Sequence, residues 1–103
     1  MKIPGQPRDR KLRPALVVSL DVRNRLANDV IVVPLSTTMR PAPTHVPIAP
    51  GEGGVHLASM AKCEQVTTLD KSLLVRGPFA GGVSEPTMVA VERGIIRAIG
   101  VVI

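Results

Sequence analysis

Residues 30–36 read VIVVPLS and carry the strongest strand signal in the chain. The first four are β-branched, which is typical of a buried strand. Pro34 cannot donate a hydrogen bond to a neighbouring strand, so we expect this strand to end nearby or to lie at an edge. A second apolar run, ALVVSL at residues 15–20, overlaps the segment KLRPALVVS at 11–19 and predicts another strand. Together the two runs predict a β-sheet.

Weaker elements surround these two runs. Residues 21–29 are polar and contain asparagine and aspartate, which favour turns, so they predict a loop or hairpin connection. Loops rich in proline or glycine are predicted at residues 36–43 and 49–54. Further strands are predicted over residues 44–48, within 55–66 and over 73–75.

One helix is predicted near the C-terminus. Ser84 is a suitable N-cap, and Glu85 and Pro86 suit a first helical turn. Gly100 is expected to end the helix. Apolar residues recur at spacings of three and four and would form one stripe: Met88, Val91, Ile95 and Ile99. Several short strands followed by one helix indicate a mainly β protein, with a small curled sheet or barrel covered by a helix.

Length and composition narrow the class of protein. The 103 residues predict a single domain over 1–103, and 45% of them are apolar, enough for a core. No apolar run approaches the roughly 20 residues that cross a bilayer, so we expect a cytoplasmic protein without membrane contact. Cys63 has no partner for an intrachain disulfide, which suits a reducing compartment. With two histidines and scattered acids, we expect no metal site and no cofactor.

Positive charge is concentrated at the N-terminus. The chain carries +5 overall, and residues 1–13 contribute +4, from five basic side chains against Asp9. A basic segment attracts polyanions such as nucleic acid, although a solvated tail would have the same composition. Phe79 is the single aromatic residue, so RNA binding by stacking bases on aromatic platforms is disfavoured.

Five pieces of the sequence, in this order, resemble MazF/PemK-type toxins. They are the Arg-Pro pair at 13–14 before an apolar strand, the strand end PLS at 34–36, THVPI at 44–48, Ser59, and EQVTTLDK at 64–71. Each piece alone is weak. Their order and separations over roughly residues 11–100 are hard to obtain by chance.

The resemblance implies a small SH3-like barrel of the MazF/CcdB type that forms a homodimer. Family members usually begin with a longer strand containing glycine, isoleucine and tryptophan or tyrosine. In this chain a short basic segment, residues 1–12, precedes the Arg-Pro pair. Two expectations follow: either the first strand is shortened to Lys2–Ile3, or the barrel closes differently.

Function and site residues are also implied by the resemblance. It implies the toxin of a type II toxin–antitoxin system, a metal-independent, sequence-specific endoribonuclease that a cognate MazE-like antitoxin inhibits. The substrate would be single-stranded RNA, cleaved when a ribose 2′-hydroxyl attacks the adjacent phosphate. The catalytic pair falls on Arg13 and Ser36. Residues that contact RNA fall on Lys11, Thr37, Ser59, Glu64 and Gln65.

The chemistry of these residue types can be judged separately. An arginine binds phosphate oxygens through its planar fork and keeps its charge, so Arg13 suits charge stabilisation and is a poor general base. Ser36 can donate a hydrogen bond to the phosphate. Glu64 and His45 are the remaining titratable candidates, but a lone histidine in a short edge strand is more often structural. No general base is assigned.

Two other functions remain open at this point. A CcdB-like gyrase-binding toxin would use the same barrel, but such toxins depend on bulky C-terminal residues including a tryptophan, and this chain ends GVVI. A catalytically degenerate MazF-like protein that only binds RNA or antitoxin is the second. Cleavage of RNA by the purified protein separates the enzyme from both.

Overall fold

The computed structural model describes residues 2–4, 12–74 and 82–101; for residues 2–4, 12 and 13 it describes the backbone. Six strands and two α-helices lie in this part of the chain. In order they are β1 (Lys2–Pro4), β2 (Leu12–Val17), α1 (Asp21–Leu26), β3 (Asp29–Ser36), β4 (His45–Ile48), β5 (Ser59–Lys62), β6 (Thr67–Asp70) and α2 (Glu85–Ala98). Single 3₁₀ turns are formed by Glu52–Gly54, Cys63–Gln65 and Lys71–Leu73.

Strand β3 organises the antiparallel sheet, whose order is β1-β2-β3-β5-β4. Strand β2 runs along one edge of β3, with Ala15 opposite Pro34. The other edge is shared: β6 pairs with residues 29–32 of β3, and β5 pairs with residues 35–36. The 3₁₀ turn at Cys63–Gln65 joins β5 to β6, so the two strands pair in succession along the same edge of β3.

The main core lies between one face of the sheet and α2. Val91 of the helix is fully buried against the sheet, and Ala90 and Ile95 pack beside it. A methyl group added at Gly94 would lie 2.7 Å from the Cys63 sulfur, so the glycine permits the close approach of α2. The other buried residues of this cluster are Cys63, on the 3₁₀ turn after β5, and five strand residues: Val33, Leu35, Val46, Ile48 and Ala61.

A smaller cluster covers the opposite face of the sheet. Ala15, Val30 and Val32 are buried there, with Val17 and Leu69 packed against them. Because successive strand residues point to opposite faces, β3 contributes Val32 to this cluster and Val33 to the main core. Residues 30–33 are therefore apolar throughout because both faces of the strand are covered.

Helix α2 begins as the sequence predicts. The Ser84 hydroxyl accepts a hydrogen bond from the Thr87 N–H, and Pro86 lies in the first turn. Hydrogen bonds from Thr87 and from the Ser84 N–H, the latter 2.8 Å from Oε1, lower the pKa of Glu52 to about 2. Glu52 thus joins the start of the helix to the 3₁₀ turn that follows β4.

The end of the predicted helical stripe needs correction. Gly100 follows the helix with a φ of 86°, as expected of a left-handed terminating residue. Ile99, however, lies beyond the last helical residue, and its side chain is 69% exposed. The apolar stripe that packs on the sheet therefore stops at Ile95, since Ile99 occupies the C-cap position in the exposed end of the helix.

Helix α1 was not expected, because residues 21–29 predicted a loop. The residue at its N-cap position, Leu20, provides no capping side chain. Contacts made by neighbouring residues hold the helix instead. The Ser19 hydroxyl donates to the Asn24 side-chain oxygen at 2.5 Å, and the Asn24 amide donates to the Ser19 carbonyl oxygen at 3.0 Å. Hydrogen bonds to the residue that flanks the helix thus outweigh the turn-forming composition of this segment.

Other strand boundaries also differ from the predictions. Strand β2 spans Leu12–Val17 rather than residues 15–20. The strand predicted at 73–75 was wrong: β6 forms earlier, at Thr67–Asp70, where the free edge of β3 accepts it, and residue 75 lies outside the described residues. Asp70 then caps the following 3₁₀ turn by accepting a hydrogen bond from the Ser72 N–H at 2.9 Å.

The N-terminal strand resolves one of the two alternatives. Strand β1 is three residues long and pairs antiparallel with β2, with Ile3 opposite Arg13. The structure therefore has the shortened first strand predicted at Lys2–Ile3, with Pro4 added to it. Neither described helix has the length and apolar character required to span a bilayer.

Candidate functional site

Ser36 is the last residue of β3 and begins the candidate site. Its hydroxyl oxygen accepts a hydrogen bond from the Thr38 N–H at 3.1 Å, which shapes the turn out of the strand. A hydroxyl that accepts one hydrogen bond still has a proton to donate. Thr37, the next residue, is exposed. The end of β3 therefore carries two hydroxyl side chains, one half-buried and one open to solvent.

Arg13 lies on the neighbouring strand β2, where its backbone is described. In the observed register of β2 on β3, Ala15 is opposite Pro34 and Leu16 is opposite Val33. When this antiparallel register is continued by two residues, Arg13 falls opposite Ser36. The two predicted catalytic residues thus occupy adjacent strand positions. Lys11, predicted to contact RNA, lies outside the described residues.

Ser59 occupies a different face of the sheet from Ser36. Ser36 is opposite Met60, whereas Ser59 is opposite Ile48 on the face covered by the main core. The Ser59 side chain is 2% exposed, and its hydroxyl donates to the Leu57 carbonyl oxygen at 3.0 Å. A contact between RNA and this hydroxyl would require the chain around it to open.

Glu64 and Gln65 lie on the 3₁₀ turn between β5 and β6, and both are exposed. One Glu64 carboxylate oxygen accepts a hydrogen bond from the Thr44 hydroxyl at 2.8 Å. The other is 3.0 Å from Nε2 of His45. Both oxygens of Glu64 are therefore already engaged by β4 and the residue preceding it.

His45 is the centre of this polar cluster. Its side chain is 8% exposed, and its Nδ1 is 2.7 Å from the Arg40 carbonyl oxygen. Hydrogen bonds to the Arg40 carbonyl and to Glu64 raise the pKa of His45. For Glu64, burial would raise the pKa, but the hydrogen bonds from His45 and Thr44 outweigh it, and the pKa is lowered. The pair therefore favours an imidazolium beside a carboxylate.

The residues of this cluster were considered singly in the sequence, and their association was missed. Nineteen positions separate His45 from Glu64, and their meeting depends on the pairing of β4 with β5, which places His45 opposite Lys62. The THV and EQ segments of the family pattern were the available signal. Within the described residues, no three histidine, cysteine, aspartate or glutamate side chains converge as metal ligands would.

The described residues thus form a small antiparallel β-sheet protein with one C-terminal helix packed on the sheet and a polar cluster at the end of β3. The chain belongs to the family of PemK-like, MazF-like toxins of type II toxin–antitoxin systems, and it matches the family model over residues 2–99. It is 34% identical over 88 residues to endoribonuclease MazF4 of Mycobacterium tuberculosis, an alignment that covers 85% of this chain and 79% of the relative. This chain is accordingly an endoribonuclease of that family.

Solved structures agree with the family. A mycobacterial endoribonuclease in complex with its cognate antitoxin superposes with a TM-score of 0.77 at 28% identity, over 99% of this chain and 94% of that one. The M. tuberculosis toxin MazF-mt6 superposes with a TM-score of 0.80 at 24% identity, over 99% and 98% of the two chains, and shares the fold. The predicted mainly β barrel with a C-terminal helix is confirmed, and the gyrase-binding alternative is not favoured.

Proposed function

We propose that this chain is a single-domain toxin, acting in the cytoplasm, that cleaves single-stranded RNA at specific sequences without a metal. A ribose 2′-hydroxyl attacks the adjacent phosphate, the new 2′-O–P bond forms, and the P–O bond to the next nucleotide breaks. The upstream fragment then ends in a cyclic phosphate and the downstream fragment begins with a 5′-hydroxyl. No outside reactant is consumed in this step.

The observation that carries this proposal is the register of β2 on β3, which brings the backbone of Arg13 opposite Ser36 when continued by two residues. Phosphate chemistry requires positive charge where charge develops in the transition state. An arginine provides two donors in a fixed plane for that purpose. Ser36 adds a hydroxyl donor from the adjacent strand. The general base is left unassigned.

RNA contacts are proposed for the predicted residues with different support. Thr37 and Gln65 are exposed, as a contact requires. Glu64 is exposed but has both carboxylate oxygens engaged, so an RNA group would share or replace those hydrogen bonds. For Ser59 the burial argues against a direct contact, and for Lys11 the proposal rests on the family pattern.

Two protein partners belong to the proposal: a MazE-like antitoxin that inhibits the enzyme, and a second copy of the chain. The antitoxin is supported by the related mycobacterial endoribonuclease solved with its cognate antitoxin. A homodimer is supported by apolar side chains left in solvent after α2, with Ile99 69% and Val101 49% exposed. Light scattering at micromolar concentration should give the mass of two chains, and a monomer would contradict the dimer.

The test of the activity is incubation of the purified protein with a mixed library of single-stranded RNA in EDTA. We expect cleavage at a restricted set of sequences, with cyclic or 3′-phosphate and 5′-hydroxyl ends. Strict dependence on added magnesium would reject the mechanism. Binding of RNA or antitoxin without cleavage of any library member would instead support the degenerate MazF-like protein.

A further inference from the structure

A continuous series of hydrogen bonds leads from the candidate catalytic serine to the acid on the 3₁₀ turn. The Thr38 N–H donates to the Ser36 hydroxyl at 3.1 Å, and the Arg40 N–H donates to the Thr38 carbonyl oxygen at 3.0 Å. The Arg40 carbonyl oxygen is hydrogen-bonded to His45 Nδ1, and His45 Nε2 is hydrogen-bonded to Glu64. Residues 37–44, the segment that follows β3, are therefore held to the sheet through the imidazole ring of His45.

The geometry requires this ring to donate at both nitrogens. A backbone carbonyl oxygen and a carboxylate oxygen are both acceptors, and a neutral imidazole has one N–H and one lone pair. A neutral His45 would consequently lose either the bond to Arg40 or the bond to Glu64. Both bonds exist together in the imidazolium form.

The surroundings of the ring favour that charged form. The hydrogen bond to the Arg40 carbonyl and then Glu64 raise the pKa of His45. Burial and the Lys62 ammonium, at the opposite strand position, lower it. Helix α2 also packs against β4, but no charged group from its described residues is among those that act on the ring. The net direction is a raised pKa. The two-bond arrangement is then complete at low pH and is lost as the pH rises through the raised value.

The ring lies on the same sheet face as Ser36. Ser36 is opposite Met60, Met60 is opposite Pro47, and His45 is two residues from Pro47 along β4. Residues two apart on a strand share a face. The hydrogen bonds of the His45 ring therefore lie on the sheet face that carries Ser36, and not on the face covered by the main core.

We propose that His45 is a positioning residue for RNA cleavage, held by Glu64 and fixing the 37–44 segment through the Arg40 carbonyl, so that Ser36 and Thr37 stay aligned with the RNA. This inference rests on the proposed ribonuclease activity. It also assigns Glu64 a supporting role in addition to its predicted contact with RNA.

His45→Ala removes both hydrogen bonds of the ring. We expect kcat/KM to fall by about 10- to 100-fold, since small misplacements of catalytic groups have effects of this size. Amide hydrogen exchange should accelerate within residues 37–44 and stay unchanged in β3 and α2. His56→Ala is the matched control, because His56 is exposed and its removal should change neither quantity.

Two substitutions should separate the bonding pattern from the ring itself. The shorter amide of His45→Asn can still donate to the Arg40 carbonyl, so it should restore part of the activity that His45→Ala loses. In Glu64→Gln a neutral ring can donate to Arg40 from Nδ1 and accept from the glutamine amide at Nε2. In the wild type, the ring loses one of its two hydrogen bonds when it becomes neutral, so cleavage should decline at alkaline pH. Neither variant needs a charged ring to keep its hydrogen bonds, so both substitutions should remove that decline.

The outcomes are decisive in each direction. Unchanged kcat/KM in His45→Ala, or an alkaline decline that persists in Glu64→Gln, would overturn the positioning role. Faster exchange throughout the sheet with a lower Tm would show that His45 is merely structural. If the wild-type protein cleaves no RNA, the proposed function fails by itself. Nitrogen-15 NMR of the ring and amide exchange in residues 37–44 would still decide whether the His45 ring holds this segment.

Discussion

The two ends of strand β3 have unlike surroundings. At its start, residues 29–32 pair with β6, and Val30 and Val32 are buried. At its end, Ser36 is half-buried and the following residues, 37–40, are exposed. One continuous strand thus joins a covered end to an open one. Because stability comes from buried apolar area and the proposed chemistry needs access to RNA, substitutions at the two ends should affect the two properties separately.

The largest effect is expected at the open end, from Arg13→Ala. Loss of a preorganised charge donor lowers kcat by on the order of 10²–10³. The free energy of unfolding should change little. RNA affinity is measured with a substrate that lacks the attacking 2′-hydroxyl. The control is Arg25→Ala, which removes an exposed helical arginine. Equal losses of stability and activity would contradict the separation of the two ends.

Ser36→Ala should have the next largest effect on cleavage. A hydrogen bond to a charged group contributes about 1.5–3 kcal/mol, roughly 10- to 100-fold in rate. Because Thr37 is exposed at the adjacent position, its hydroxyl can replace part of the lost interaction, which places the effect below that of Arg13→Ala. Ser36→Thr retains the hydroxyl and should cleave at close to the wild-type rate. A rate for Ser36→Ala equal to that of the wild type would exclude a role for this hydroxyl.

At the covered end, Val32→Ala should lower stability and leave the chemistry intact. Val32 is fully buried, and the removal of two carbon atoms at about 0.8 kcal/mol each, with a small cavity term, destabilises by roughly 2 kcal/mol. Urea denaturation gives the free energy of unfolding, and Val22→Ala on the exposed side of α1 is the control. A large fall in kcat for the folded variant would show that the two ends are coupled.

The smallest effect is expected from the ion pair at the start of β3. Arg23 lies 2.5 Å from Asp29, and the two side chains are 35% and 39% exposed. Partly exposed pairs of this kind contribute about 0.2–1 kcal/mol. A double-mutant cycle of Arg23→Ala and Asp29→Ala, followed by urea denaturation, should give a coupling energy in that range with no change in cleavage. A coupling well above 1 kcal/mol would make this pair a main support of β3.

The parts of the fold with strong local signals were predictable from the sequence. The β-branched run at residues 30–33 lies within β3, and Ser84 caps α2 as predicted. Helix α1 could not be foreseen, because Asn24 and Arg23 stabilise it through contacts outside the helix. Composition predicts elements that are stabilised by their own residues, and it fails where side-chain hydrogen bonds to flanking residues decide.

The candidate site shows the same limit. The order of the family motifs identified Arg13 and Ser36, whose closeness follows from the register of β2 on β3. The engagement of Glu64 by His45 and the burial of Ser59 follow from how β4 and β5 pair and which face each residue occupies. Face and register depend on the whole sheet, so the residue types alone could not reveal them.

Because α2 packs tightly against Cys63, the reactivity of this thiol should report when the helix moves away from the sheet. The chain contains one cysteine; its sulfur is buried next to Gly94, and burial raises the pKa of the thiol to about 11. Alkylating reagents and oxidants react with the thiolate, so the folded protein should resist both. The rate of thiol labelling would then measure how often the helix leaves the sheet, and no cysteine would have to be introduced by mutation.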